Sequence, residues 1–183
     1  MLLQLWRRLV DAHGDRAPRL VVIGQRGWEC ENVVDLLERC QQLQGIVIEH
    51  SRCTDAELVT WLHHAQALLF ASFAEGYGLP VAEALSLGVP VIASELPVFR
   101  EIAGDVPEYA DPLDGQRWEA LVTDYAEANS PLRTAQLARM HRFHQSTWPE
   151  HFERVDALLA RLDNALLVAD AAGQADAVSR PGE

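Results

Sequence analysis

A chain of 183 residues, 49% of them apolar and with a formal charge of −12, can bury one substantial core and is too acidic to offer the basic face that nucleic-acid binding needs. No apolar run approaches the roughly 20 residues that cross a bilayer, and no small-residue cleavage site follows Met1-Leu2-Leu3, so a cytoplasmic protein without a transmembrane segment is expected. Lysine is absent, so any side-chain contact to a phosphate must come from one of the 15 arginines.

Cys30, Cys40 and Cys53 form no CxxC pair and read as free thiols. A metal cluster of these cysteines with His50 lacks ligand spacing, and no metal site is expected.

In chain order, apolar residues at Leu2, Leu5, Trp6, Leu9 and Val10 predict a helix to His13, stopped by Gly14. Arg19 to Ile23 reads as a buried strand. The loop Gly24-Gln25-Arg26-Gly27 leads to a helix from about Glu29 to Leu43. A strand over Ile46 to Glu49 follows. Thr54 and Glu57 then form a capping box for a helix that packs Leu58, Trp61, Leu62 and Ala65. Further strands are predicted at Ala67 to Ala71, Pro90 to Ala93 and Glu108 to Ala110. Helices are predicted from Pro80 to about Leu87, from Pro97 to Ala103, after Asp114, and after Ser130-Pro131. Strands alternating with helices mean an α/β fold with a doubly wound parallel sheet, whose ligands sit beyond the C-terminal strand ends. Gly24 to Gly27, Gly76 to Gly78 and Ala93-Ser94-Glu95 all fall at that edge.

From about Pro149, Phe152, Val155, Leu159, Leu162, Leu166 and Ala169 make one apolar seam of an amphipathic helix. Packing on its own domain and docking to a partner both remain open. The expected organisation is a nucleotide-sugar-binding domain over 1–148, a helix over 149–170 and a disordered tail over 171–183.

The densest chemical signal runs from Ala71 to Ala84. An apolar strand enters it, Gly76 and Gly78 free the backbone, and Pro80 opens a helix that carries Glu83 in its first turn. Strand, glycine loop and helix N-terminus build an anion site from main-chain N–H groups. Glu83 suits a sugar's vicinal diol and Glu75 the hydroxyls of a second sugar, whereas neither belongs against phosphate. The plainer alternative is that Glu83 complements its helix dipole and Glu75 is a solvated loop acid.

Glu75-Gly76-Tyr77-Gly78-Leu79-Pro80 followed by Glu83-Ala84 resembles the E-G-F/Y-G-L-P-x-x-E-A signature of family 4 retaining glycosyltransferases, which have the GT-B fold. Gly88 to Ser94 and Pro97 to Asp105 resemble the segments that follow it, with weaker matches at Asp111-Pro112 and Ser146 to Trp148. The resemblance covers roughly Leu3 to Leu162. It implies a Rossmann-like domain in which Glu75 contacts the donor sugar and is the catalytic candidate, and Glu83 binds the nucleotide ribose. Gly76, Tyr77, Gly78 and Leu79 would hold sugar and diphosphate. Gly24 to Gly27, with Arg26, and the end of the Ile46 to Glu49 strand would lie near the nucleobase; a merely solvated Arg26 is the alternative. The substrate implied is a GDP- or UDP-sugar, with no further cofactor. The activity implied is retaining hexosyl transfer to a glycan or lipid-linked acceptor in polysaccharide biosynthesis.

Only the family's donor half is matched. Its first central strand, with the basic pair that neutralises the diphosphate, has no counterpart here. In the order 3-2-1-4-5-6, strands Arg19 to Ile23 and Ala67 to Ala71 would then flank a gap or close up and pair. The resemblance thus implies an acceptor half supplied in trans or self-association, on a truncated chain. A non-catalytic remnant or interaction module that keeps the fold is the competing reading.

Overall fold

The computed structural model describes residues 1–162. Residues 1–144 form one compact unit, and a second begins at Gln145. The first unit contains α1 (Leu2–His13), β1 (Leu20–Ile23), α2 (Glu31–Arg39), β2 (Val47–His50), α3 (Asp55–His64), β3 (Leu68–Phe70), α4 (Leu79–Ser86), β4 (Val91–Ser94), α5 (Pro97–Ala103), β5 (Glu108–Ala110), α6 (Gly115–Ala126) and α7 (Pro131–Arg139). Predicted strand ends shift by no more than about one residue, the ordinary play of terminal pairing.

The chain's stop and start signals act as expected. Thr54 and Glu57 form the capping box on α3. Asp114 and Ser130 accept from the Arg117 and Arg133 amides at the starts of α6 and α7. The helix expected from Glu29 to Leu43 is the one marked departure. Glu29 sits at φ 53°, outside helical space. Cys40 is extended, so α2 ends at Arg39 and a short 3-10 turn (Gln41–Leu43) follows, burying Leu43.

All strand pairs are parallel, in the orders β1-β2 and β3-β4-β5. Residues of β4 alternate between two cores. Ile92 joins a cluster with Leu5, Trp6 and Leu9 of α1 and Trp118 and Leu121 of α6. Val91 and Ala93 join one with Leu62 of α3, Val81 and Ala84 of α4, and Phe99 of α5. Helices therefore cover both faces, the layering of a doubly wound sheet. The amide of Gln136, itself buried, donates to the Val91 and Val106 carbonyls at 2.7 and 3.1 Å and accepts from Tyr125 at 2.6 Å. A buried amide satisfied three ways fixes α7 against the strand starts.

Strands β1 and β3 form no ladder, so the direct pairing expected as one outcome does not occur. They still share a core, because Leu20 and Val22 of β1 and Leu69 of β3 all belong to or pack on the α1–α6 cluster. Helix α1 bridges the split. It reaches the β2 side through Arg7 to Gln42 (3.5 Å) and Gln42 to Asp11 (2.5 Å), and it reaches α6 through Arg8 to Glu119 (2.8 Å). Every residue of β4 is buried, whereas β3 and most of β1 are only half-buried.

In the second unit, residues 148–162 form α8. At its start Trp148 stacks on Phe152, and His151 meets both rings edge-on. Phe152, Leu159 and Leu162 of the predicted seam are each about half exposed. Leu166, Ala169 and the expected tail lie outside the described residues.

The split makes a residue-by-residue prediction. Leu20 donates to Ile46 and Leu68 to Pro90, so in these parallel ladders Leu20, Val22, Leu68 and Phe70 face their partners, while Val21, Ile23 and Leu69 face away. Amide exchange by NMR should be about tenfold or more faster at the second set than at the first. Uniform protection along β1 and β3 would show the edges to be paired.

Candidate functional site

Each connection from β1 to β5 is helical, so the strands' C-terminal ends gather at one edge. The loop after β3 enters α4 through Gly78, which stands at φ 90° and ψ 44° as the helix N-cap. An ideal Cβ on Gly78 would lie 2.5 Å from Phe99 Cε1 and 2.9 Å from Cδ1. Glycine is thus demanded twice, by the left-handed backbone and by the buried Phe99 ring of α5. The amides of Gly76, Tyr77, Gly78 and Leu79 find no acceptor among the described residues, and Pro80 has no N–H to satisfy. Free donors at the positive end of a helix are what an anion requires.

Glu75 is exposed, and the Ser72 hydroxyl donates to its Oε1 at 2.8 Å. Glu83 is also exposed, as the fifth residue of α4. The expected first-turn position is therefore corrected: the helix starts at Leu79, and Glu83 falls just past the turn where dipole complementation acts. That weakens the plainer reading of Glu83. Phe73, Tyr77 and Leu79 of the same segment are all more than half exposed.

The loop after β1 is held by an ion-pair cluster. Arg26 grips both carboxylate oxygens of Glu49 at the end of β2 (2.9 and 2.8 Å) and reaches Glu38 of α2 at 2.6 Å. Hydrogen bonding from Arg26 holds the Glu49 carboxyl below its ordinary range, and the same bonds raise the guanidinium further. Arg26 is therefore not merely solvated: three of its N–H groups are bonded to carboxylates, while the side chain stays partly exposed. Gly24 and Gly27 keep the loop short, and the Cys30 thiol donates to the Gly27 carbonyl at 3.1 Å.

Beyond β4 a second arginine is engaged in the same way. Arg100 holds Glu95 with two 2.7 Å bonds, pairs with Asp105, and lies 3.9 Å over the Tyr109 ring. Hydrogen bonding from Arg100 holds the Glu95 carboxyl low. Next to it, the buried Ser94 hydroxyl has no partner among the described residues. An orphan buried hydroxyl is uncommon and here stands at the ligand-binding edge. Sequence reading placed Ser94 at that edge but carried no signal for its isolation. The cysteines are free, and no group of metal-ligating side chains occurs among the described residues.

A model of the family 4 glycosyltransferases in conflict systems matches residues 2–174. The chain belongs to that family. It is 31% identical over 147 residues to O-antigen chain mannosyltransferase B of Escherichia coli, a match covering 80% of this chain and 38% of that protein. It is 36% identical over 66 residues to O-antigen chain mannosyltransferase RfbU of Salmonella typhimurium, covering 36% and 19%. The chain thus spans less than half the length of these relatives. Among solved structures, TarM superposes with a TM-score of 0.63 at 15% identity, over 77% of this chain and 28% of that one. WaaG, a glycosyltransferase involved in lipopolysaccharide biosynthesis, superposes with a TM-score of 0.62 at 19% identity, over 77% and 37%. These identities bear on the fold alone, and that fold is the Rossmann-like one expected.

Two outcomes test the geometry. Gly78→Ala should destabilise the protein by about 2 kcal/mol or more, from the left-handed backbone and the Phe99 overlap together. Gly76→Ala, whose Cβ would meet nothing within 4 Å, should stay within about 0.5 kcal/mol in the same thermal melts. The second outcome concerns pH. Glu49 has a lowered folded-state pKa, so the Arg26 pair contributes above the ordinary glutamate value and is lost as pH falls through the lowered one. NMR of the Glu49 carboxyl should show titration below the ordinary range, returning to it in Arg26→Gln.

Proposed function

We propose that this chain is the donor-binding half of a retaining hexosyltransferase that takes a nucleotide-diphosphate sugar, with mannose the sugar favoured by the names of the relatives. The observation that carries this is the set of free amides at Gly76 to Leu79, flanked by two exposed carboxylates that point to hydroxyls and not to phosphate. Gly76, Tyr77, Gly78 and Leu79 hold the diphosphate through backbone N–H groups. Glu83 accepts two hydrogen bonds from the ribose diol. Glu75, oriented by Ser72, contacts the donor sugar and is the catalytic candidate. Gly24 borders the nucleobase side, and Arg26 serves there by fixing the loop. The product is a glycan or lipid-linked sugar of a surface polysaccharide, formed with retention.

The cations at this edge argue for a division of labour. Departure of the diphosphate needs preorganised positive charge. Arg26 and Arg100 are already committed to Glu49, Glu38, Glu95 and Asp105. The amides suffice for binding, while transfer draws its remaining cation and its acceptor site from an acceptor half. A non-catalytic module that only binds the donor is the second reading, favoured by the same committed arginines.

Titrating GDP-mannose and UDP-glucose into the purified protein tests the assignment. Glu83→Ala should weaken donor binding about tenfold to a hundredfold, the worth of hydrogen bonds to a charged group. Glu75→Gln should leave binding within about threefold, because its contact matters most as charge develops in transfer. Absence of saturable binding by any nucleotide sugar, or binding indifferent to Glu83→Ala, would refute the proposal.

A further inference from the structure

Trp28 is 94% exposed, more than any other large apolar side chain among the described residues. An indole left in water forgoes one of the largest burial gains available to a side chain. A slack loop could expose it by accident, but this loop is built. Arg26 ties it to Glu49 and Glu38, and the Cys30 thiol closes on the Gly27 carbonyl. The residue after the indole, Glu29, stands at φ 53°, the one non-glycine residue at positive φ among the described residues. Backbone strain of this kind persists where surrounding contacts enforce it, and it clusters at ligand clamps.

The position completes the argument. Strand β1 pairs with β2 and β3 with β4 and β5, while Val22 of β1 and Leu69 of β3 pack on the same cluster beneath α1 and α6. Ligands of doubly wound sheets lie beyond the C-terminal strand ends, where the loops after β1 and β3 both stand. The loop after β3 supplies the unpaired amides that suit an anion, and the loop after β1 supplies a pinned, bare aromatic plane. A molecule with a diphosphate at one end and a flat heteroaromatic ring at the other matches both.

We propose that Trp28 is the stacking platform for the nucleobase of the donor. This rests on the donor-binding reading given above. Stacking on an indole tolerates any base, so Trp28 contributes affinity and leaves the choice of base to other groups.

Calorimetric titration of GDP and UDP into the unmodified protein, Trp28→Phe and Trp28→Ala tests this. Trp28→Ala should weaken both nucleotides about tenfold or more, and Trp28→Phe should stay within about threefold, since a smaller ring still stacks. The unfolding midpoint without ligand should be unchanged in both, because the side chain is exposed. Undiminished nucleotide affinity in Trp28→Ala overturns the proposal and leaves the indole to a protein contact, with the donor reading intact. Equal losses in the Phe and Ala variants also overturn it, since a ring would then give no rescue. Failure of the unmodified protein to bind either nucleotide ends both readings together.

Discussion

Phe99 and Gly78 hold the site together. The ring of Phe99 is fully buried, packs 5.6 Å from Phe70 at the end of β3, and occupies the space where any side chain at position 78 would stand. Its carbonyl also accepts from the Tyr109 hydroxyl of β5 at 3.1 Å. One residue of α5 therefore sets the entry to α4, the end of β3 and the placement of β5. Because close-packed interiors do not deform continuously, the free amides of Gly76 to Leu79 inherit the rigidity of that cluster. An anion site made of backbone is only as fixed as the packing beneath it, and here the packing is a single aromatic ring against a missing Cβ.

Charge follows the opposite logic. An acidic chain without lysine has few cations to spare, and two arginines at the functional edge, Arg26 and Arg100, are spent on carboxylates. Pairs this exposed contribute little stability in water. Their value is geometric: a guanidinium fork accepts a carboxylate in one plane, so Arg26 fixes the loop after β1 and Arg100 fixes the turn after β4. In the donor-binding proposal, binding then falls to neutral amides and to hydroxyl-seeking carboxylates, which suits a ligand carrying both a diphosphate and sugars.

Local chemistry was legible in the sequence, and long-range geometry was not. Thr54 with Glu57, Asp114, Ser130 and Pro97 each act through neighbours within a few residues, so the helices they start could be read directly. The alternation of short apolar strands with helices gave the doubly wound sheet, and the glycine loop after β3 pointed to the candidate site. Other features depend on residues far apart in the chain. Arg26 meets Glu49 across 23 positions, and nothing in either segment announces the partner. A helix was expected from about Glu29, yet that residue stands at φ 53°. The exposure of Trp28 and the orphan hydroxyl of Ser94 are tertiary facts with no periodic signature at all.

The split between β1 and β3 ties stability to ligand binding. The two loops proposed to share the donor stand on strands that exchange no hydrogen bonds. Their spacing rests on α1, through Gln42 and Asp11 on one side and Arg8 and Glu119 on the other, and on the apolar cluster around Trp6 and Trp118. Such a seam resists shear less than a continuous ladder would, because packing lacks the directionality of backbone hydrogen bonds. A ligand that touches both loops at once bridges the seam between the two sheets. Its binding energy then adds to the cohesion of the two sheets, by the mass-action linkage that stabilises any native state over its open forms. The weakest link between the two sheets and the crevice proposed for the donor thus fall at the same pair of strands, β1 and β3.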